Sequence, residues 1–149
     1  MPNSLSTIIK SVQCLLTQDQ SAESLYTAVD GHIAYGRLTD LTSMPTLIYT
    51  FIDYPIVNTF NNENIGPSNI RVQFDIYQQY NKGVISISEI YDKLYSTANR
   101  KYLYECDSSS SSSSSSLEYI GKIWCVNKGR ITQEDKAYRI MSEWNIFTD

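Results

Sequence analysis

The sequence predicts an α+β fold: one domain with an antiparallel or mixed β-sheet and helices packed on one face. Three observations carry this. The chain opens on a run of three- and four-residue apolar spacing, two later segments alternate apolar and polar residues, and a second helical pattern lies between them. With 149 residues, folding can remove roughly two-thirds of the unfolded surface from water, so the core needs no staples.

The first helix is read from Leu5, Ile8, Ile9, Val12, Leu15 and Leu16, which share one helical face, with Asn3 or Ser4 available as its cap. Ala22 to Val29 suggests a short helical turn, and Asp30-Gly31 a tight turn. Thr46 to Ile52 is rich in branched and aromatic residues and starts after Pro45, which suits a strand. Asn61-Asn62-Glu63-Asn64 with Gly66 and Pro67 marks a loop. The clearest strand follows, because Ile70, Val72, Phe74 and Ile76 alternate with Arg71, Gln73, Asp75 and Tyr77. These two strands are expected to pair antiparallel across the loop.

Ser86-Ile87-Ser88-Glu89 has the spacing of a capping box, predicting a helix from there to about Asn99 whose inner face holds Ile87, Ile90, Tyr91, Leu94, Tyr95 and Ala98. Tyr102-Leu103-Tyr104 and Tyr119 to Val126 read as strands. Between them lie nine serines, Ser108 to Ser116, and the stretch 107–117 is expected to be a flexible loop, since serine regains little by burial for the chain entropy it loses. A last strand should run from Ala137 to Phe147, with Tyr138, Ile140, Trp144 and Ile146 on one face and Met141 and Phe147 on the other. Apolar residues on both faces suggest cover on both sides or a subunit contact.

Charge and composition narrow the function classes. A formal charge of −4 with scattered Lys and Arg argues against a domain that grips nucleic acid. Twelve tyrosines suit half-buried strands and polar assembly surfaces. Cys14, Cys106 and Cys125 have no CxxC-type spacing and are expected to be reduced thiols of a protein made in the cytosol. The sequence contains no long apolar run and no signal-peptide pattern.

Catalytic patterns are missing. His32 is the only histidine, lies beside a turn and has no GxSxG partner, so a surface or capping role is expected. One histidine makes a histidine metal site implausible, and neither GxGxxG nor GxxxxGK[ST] occurs. Asp75 alternates onto the polar strand face with Arg71 and Gln73, which reads as a solvated or interfacial position. Glu118, Glu134 and Asp135 leave a carboxylate-based enzyme as the rival from another class. The expectation is a non-enzymatic protein with no cofactor.

The stretch from Met44 to Leu94 resembles the tail-terminator and tail-completion family of long-tailed phages. The likeness rests on the proline-started strand Met44-Pro45-Thr46-Leu47-Ile48-Tyr49, on Arg71-Val72-Gln73-Phe74-Asp75-Ile76-Tyr77, and on the closing strand Tyr138-Arg139-Ile140-Met141-Ser142-Glu143-Trp144. The serine run and the tyrosine-rich second half depart from that pattern.

The resemblance implies a virion protein of the tail or neck, made in the host cytoplasm. It would form a homo-oligomeric ring, a hexamer in the family, that caps the tail tube, ends its growth and meets the head connector. A head–tail connector ring is the alternative within this class. The partners implied are further copies of itself, the tail tube protein and the connector protein, with DNA only passing through the lumen and no membrane. An acidic lumen would let DNA slide without sticking. Candidate interface residues are Arg71, Gln73, Asp75, Tyr77, Arg139 and Trp144.

Overall fold

The computed structural model of the chain describes residues 4–36, 44–53, 56–58, 64–67, 69–106, 118–134 and 136–148. The serine segment expected to be a flexible loop, 107–117, lies outside these residues. Helix α1 (Leu5–Thr17) begins where Ser4 accepts a hydrogen bond from the Thr7 amide at 3.2 Å, one of the two caps expected. Ile8, Val12 and Leu16 are buried, with Leu5, Ile9 and Leu15 packed against them. The short α2 (Leu25–Ala28) is capped by Ser24. Asp30 and Gly31 then turn the chain with φ of 52° and 76°, a conformation that glycine adopts freely.

Six strands make the main sheet. β1 (Ile33–Tyr35) runs parallel to β2 (Thr46–Asp53), and all other pairings are antiparallel, in the order β1-β2-β5-β8-β7-β6. β5 is Asn69–Gln79, β6 is Lys101–Tyr104, β7 is Tyr119–Glu134 and β8 is Ala137–Thr148. The strand around Thr46 does pair antiparallel with the strand around Phe74. Between them β3 (Ile56–Asn58) and β4 (Asn64–Pro67) form a separate two-stranded sheet, so Asn64–Pro67, expected in a loop, is paired backbone. The expectation of an antiparallel or mixed sheet is met in the mixed form, because three residues at β1 add a parallel edge.

Helix α3 (Gly83–Ala98) buries Ile87, Ile90, Leu94 and Ala98 and packs on β5, β7 and β8 as well as on α1 and α2. Its start corrects the capping-box reading. The 3₁₀ turn Tyr80–Lys82 runs straight into the helix through Gly83 at φ 85°, so Ser86 already lies in the first turns. Its hydroxyl instead accepts a hydrogen bond from Gln78 Nε2 at 3.0 Å.

The core lies between the helices and one sheet face. It contains Leu47, Tyr49 and Phe51 of β2, Val72, Phe74 and Ile76 of β5, and Ile140, Trp144 and Ile146 of β8. Burying each large apolar side chain contributes about 1.5–3 kcal/mol. β7 extends eight residues past its expected end at Val126, and the Asn127-Lys128-Gly129 stretch that looks like a turn is absorbed by register shifts between Cys125 and Arg130. Gly129 is required there, since a Cβ would collide with Ile140.

The sheet curls so that α1 touches both of its edges, β1 and β6. Gln13 Nε2 donates to the Ile33 carbonyl at 3.1 Å, and the Tyr49 hydroxyl donates to Gln13 Oε1 at 2.6 Å. On the other side Cys14 is joined to Cys106 in a disulfide that spans 92 residues of sequence. This corrects the expectation of three reduced thiols. Spacing alone gave no sign of it, because proximity is created by α1 reaching the end of β6. Cys125 remains a free thiol. Among the described residues no helix is long and apolar enough to cross a membrane.

Candidate assembly surface

Period-two alternation sends Arg71, Gln73, Asp75 and Tyr77 to the sheet face opposite the helices, while their neighbours Val72, Phe74 and Ile76 enter the core. The β5–β8 register sets Arg71 beside Asn145, Gln73 beside Glu143 and Tyr77 beside Arg139. Five of the six expected interface residues therefore share this face. Trp144 does not. It is fully buried on the core face, edge-on to Phe74 at 5.3 Å, with its indole N–H donating to Ser142 Oγ at 2.8 Å, so its assignment to a contact surface is corrected.

The charges on this face are interlocked. Arg139 Nε and Nη2 reach Asp75 Oδ1 at 2.9 and 2.8 Å, while its Nη1 donates to Glu134 Oε1 at 2.9 Å. Gln73 Nε2 donates to the other Asp75 oxygen at 2.8 Å, and the Arg139 guanidinium lies 5.6 Å from the Tyr77 ring centre. Burial works against the charged guanidinium, but its hydrogen bonds to Glu134 and Asp75 outweigh this and raise its pKa. Burial also raises the Tyr77 hydroxyl, partly offset by Arg139. Arg71 donates to Glu143 at 2.8 Å, and Asn127 shares that carboxylate at 3.3 Å.

This geometry bears on chemistry. Asp75 and Glu134 are bridged by Arg139, which binds one carboxylate through Nε and Nη2 and the other through Nη1. His32 is exposed, and its Nδ1 lies 3.1 Å from the Pro45 carbonyl. A shallow groove of about 360 Å³ is lined by Tyr95, Asn99, Arg100, Lys122, Trp124 and Cys125. Burial raises the Cys125 thiol pKa, which favours the unreactive protonated form. No group of three His, Cys, Asp or Glu among the described residues is placed to hold a metal ion.

The same face has an aromatic corner, of which the sequence showed Phe147, with Met141 nearby, but not Trp124 or Tyr102. Trp124 stacks on Phe147 with ring centres 4.7 Å apart and planes at 10°, and Lys122 lies over the Tyr102 ring at 5.2 Å. Tyr102 is 53% exposed, Phe147 45% and Met141 44%. The signal was the alternation of Lys122 and Trp124 with Ile123 and Cys125, visible once β7 is known to be covered on one side only.

No family model and no curated protein matches the sequence. Among solved structures, the fold is similar to a chain from the virion of a native gene transfer agent particle, at 10% identity and a TM-score of 0.58. The likeness spans 97% of this chain and 98% of that one, so the two share an architecture from end to end.

Proposed function

We propose that this chain is a structural, non-enzymatic protein of a phage-like virion, and that it forms a ring capping the tail tube, ending its growth and joining it to the head connector. The observation that carries the virion reading is the end-to-end likeness to a chain of the gene transfer agent virion. The finer role rests on the resemblance to tail terminators over Met44 to Leu94. The interlocked polar face with its aromatic corner supports an assembly function. Tyr, Trp, Phe, Met and Arg are the residue types enriched at subunit contacts, and this face presents all five.

In this reading the partners are further copies of the chain, the tail tube protein and the connector protein, with DNA only passing through the lumen. Rings that stack head-to-tail leave an open end that accepts another ring, so a tube grows until something fits one end and refuses the next ring. Microscopy of lysates from a phage lacking the gene tests the role. Filled heads without tails, beside tails of irregular length, are expected of a terminator. Tails of normal length that fail to join heads would indicate the neck connector instead, and normal joined virions would remove both.

A further inference from the structure

The charges left without an ion pair differ between the two sides of the fold. The helical segments, residues 4–32 and 80–99, carry five carboxylates and three lysines. On the sheet face away from the helices, Arg71, Lys122, Arg130 and Arg139 stand beside three carboxylates, Asp75, Glu134 and Glu143. All three of those carboxylates are tied to Arg139 or Arg71. Lys122 and Arg130, on the face away from the helices, pair with no carboxylate among the described residues. On the helical side Ile85, Glu89 and Asp92 lie at four- and three-residue spacing along one exposed stripe of α3, and Ile85 is 75% exposed. One face therefore offers aromatic rings within a positive rim, and the other offers an apolar knob beside carboxylates.

We infer that copies of this chain meet head-to-tail, with the sheet face around Lys122, Trp124, Phe147 and Arg130 seated on the α3 stripe Ile85, Glu89 and Asp92 of the next copy. The inference deepens the ring reading and rests on it. A sheet-on-sheet contact would set the unpaired cations against each other, and a helix-on-helix contact would do the same to Glu89 and Asp92. Like charges across an interface suppress such pairings. Each of those contacts would also be isologous and close at two copies, whereas a contact between two different patches is the kind that generates a ring. Opposite charge on the two faces thus selects both the partner surface and the sense of assembly.

The test uses two charge-reversed proteins, Glu89→Lys with Asp92→Lys, and Lys122→Glu with Arg130→Glu. None of the four residues belongs to an ion pair among the described residues, so the fold should survive, as a melting curve checks. Light scattering and native mass spectrometry, with and without tail tubes, follow assembly. Each variant alone should associate at least about tenfold more weakly than wild type. An equimolar mixture should recover assembly, because each variant then finds an oppositely charged face on the other, and rising salt should weaken the wild-type contact.

Either variant assembling like wild type, or a mixture as weak as its components, overturns the proposed contact while leaving the ring. A wild-type chain that stays monomeric both alone and on tubes overturns the ring and this contact together. Should a reversed variant fail to fold, Glu89→Gln with Asp92→Asn and Lys122→Gln with Arg130→Gln carry the same test. These neutral forms should lose most of the salt dependence, and retention of it would equally sink the contact.

Discussion

Along β5, neighbouring residues meet opposite surroundings. Val72, Phe74 and Ile76 are fully buried beneath α3, whereas Arg71, Gln73 and Tyr77, one residue away in each case, lie on a face that no described helix covers. The buried side obeys volume, since each side chain must fill its space beside Tyr49 and Trp144. The other side obeys pairing, since Arg139 is held by two carboxylates and Arg71 by one. A single strand thus packs the core with one face and carries a paired polar network on the other.

The comparison breaks most visibly at the core. Phe74→Ala should cost about 3–5 kcal/mol, read as a lower urea midpoint with an unchanged slope, because the cavity forms in a closely packed layer. A change below about 1 kcal/mol would mean that the core collapses around the gap. Next comes the covalent tie across the helical side. Reducing Cys14–Cys106, or replacing Cys14 with Ser, should lower stability by about 2–4 kcal/mol, since a crosslink over this separation restricts the unfolded chain. Intact mass before and after alkylation establishes that the bond was present.

Alkaline titration probes how firmly buried hydroxyls are held. Burial pushes the Tyr91 hydroxyl up to about 12 and also raises Tyr49. The folded state keeps these protons longer than the unfolded chain, so the associated stability is complete below about pH 10 and is lost as pH rises toward about 12. The urea midpoint should therefore fall between those values, and Tyr91→Phe should flatten part of the slope. The smallest effect belongs to the uncovered face. Arg71→Ala removes a half-exposed ion pair and should move stability by no more than about 0.5 kcal/mol. Ring association, measured in parallel by light scattering, should suffer far more than folding.

What the sequence revealed follows the range of the forces involved. Alternation over Ile70 to Tyr77 and over Tyr138 to Phe147 placed both central strands, because every second residue meets the same environment. The α1 stripe was equally readable. β1 was not, since Ile33-Ala34-Tyr35 is too short to show a period and is held by its parallel register with Leu47-Ile48-Tyr49. The length of β7 was hidden by Asn127-Lys128-Gly129, whose turn-like chemistry is accommodated only because Gly129 fits against Ile140 and its N–H donates to Tyr91 at 3.0 Å. Five of the candidate residues, Arg71, Gln73, Asp75, Tyr77 and Arg139, share one sheet face, as parity predicts. Trp144, also expected at a contact, shares its parity with Ile140 and lies in the core.

The curl that brings α1 against both β1 and β6 has a consequence for behaviour at high concentration. A flat sheet with bare margins can recruit further strands without limit, which is the route to fibrils. Here one margin is short and tethered through Gln13, and the other ends at the Cys14–Cys106 link. Where β7 runs on past β6, register shifts distort it, the Asn99 side chain takes the Cys125 N–H at 2.9 Å, and Tyr91 takes that of Gly129. These ties and distortions leave fewer edge groups open to a further strand, which works against growth into fibres at high concentration.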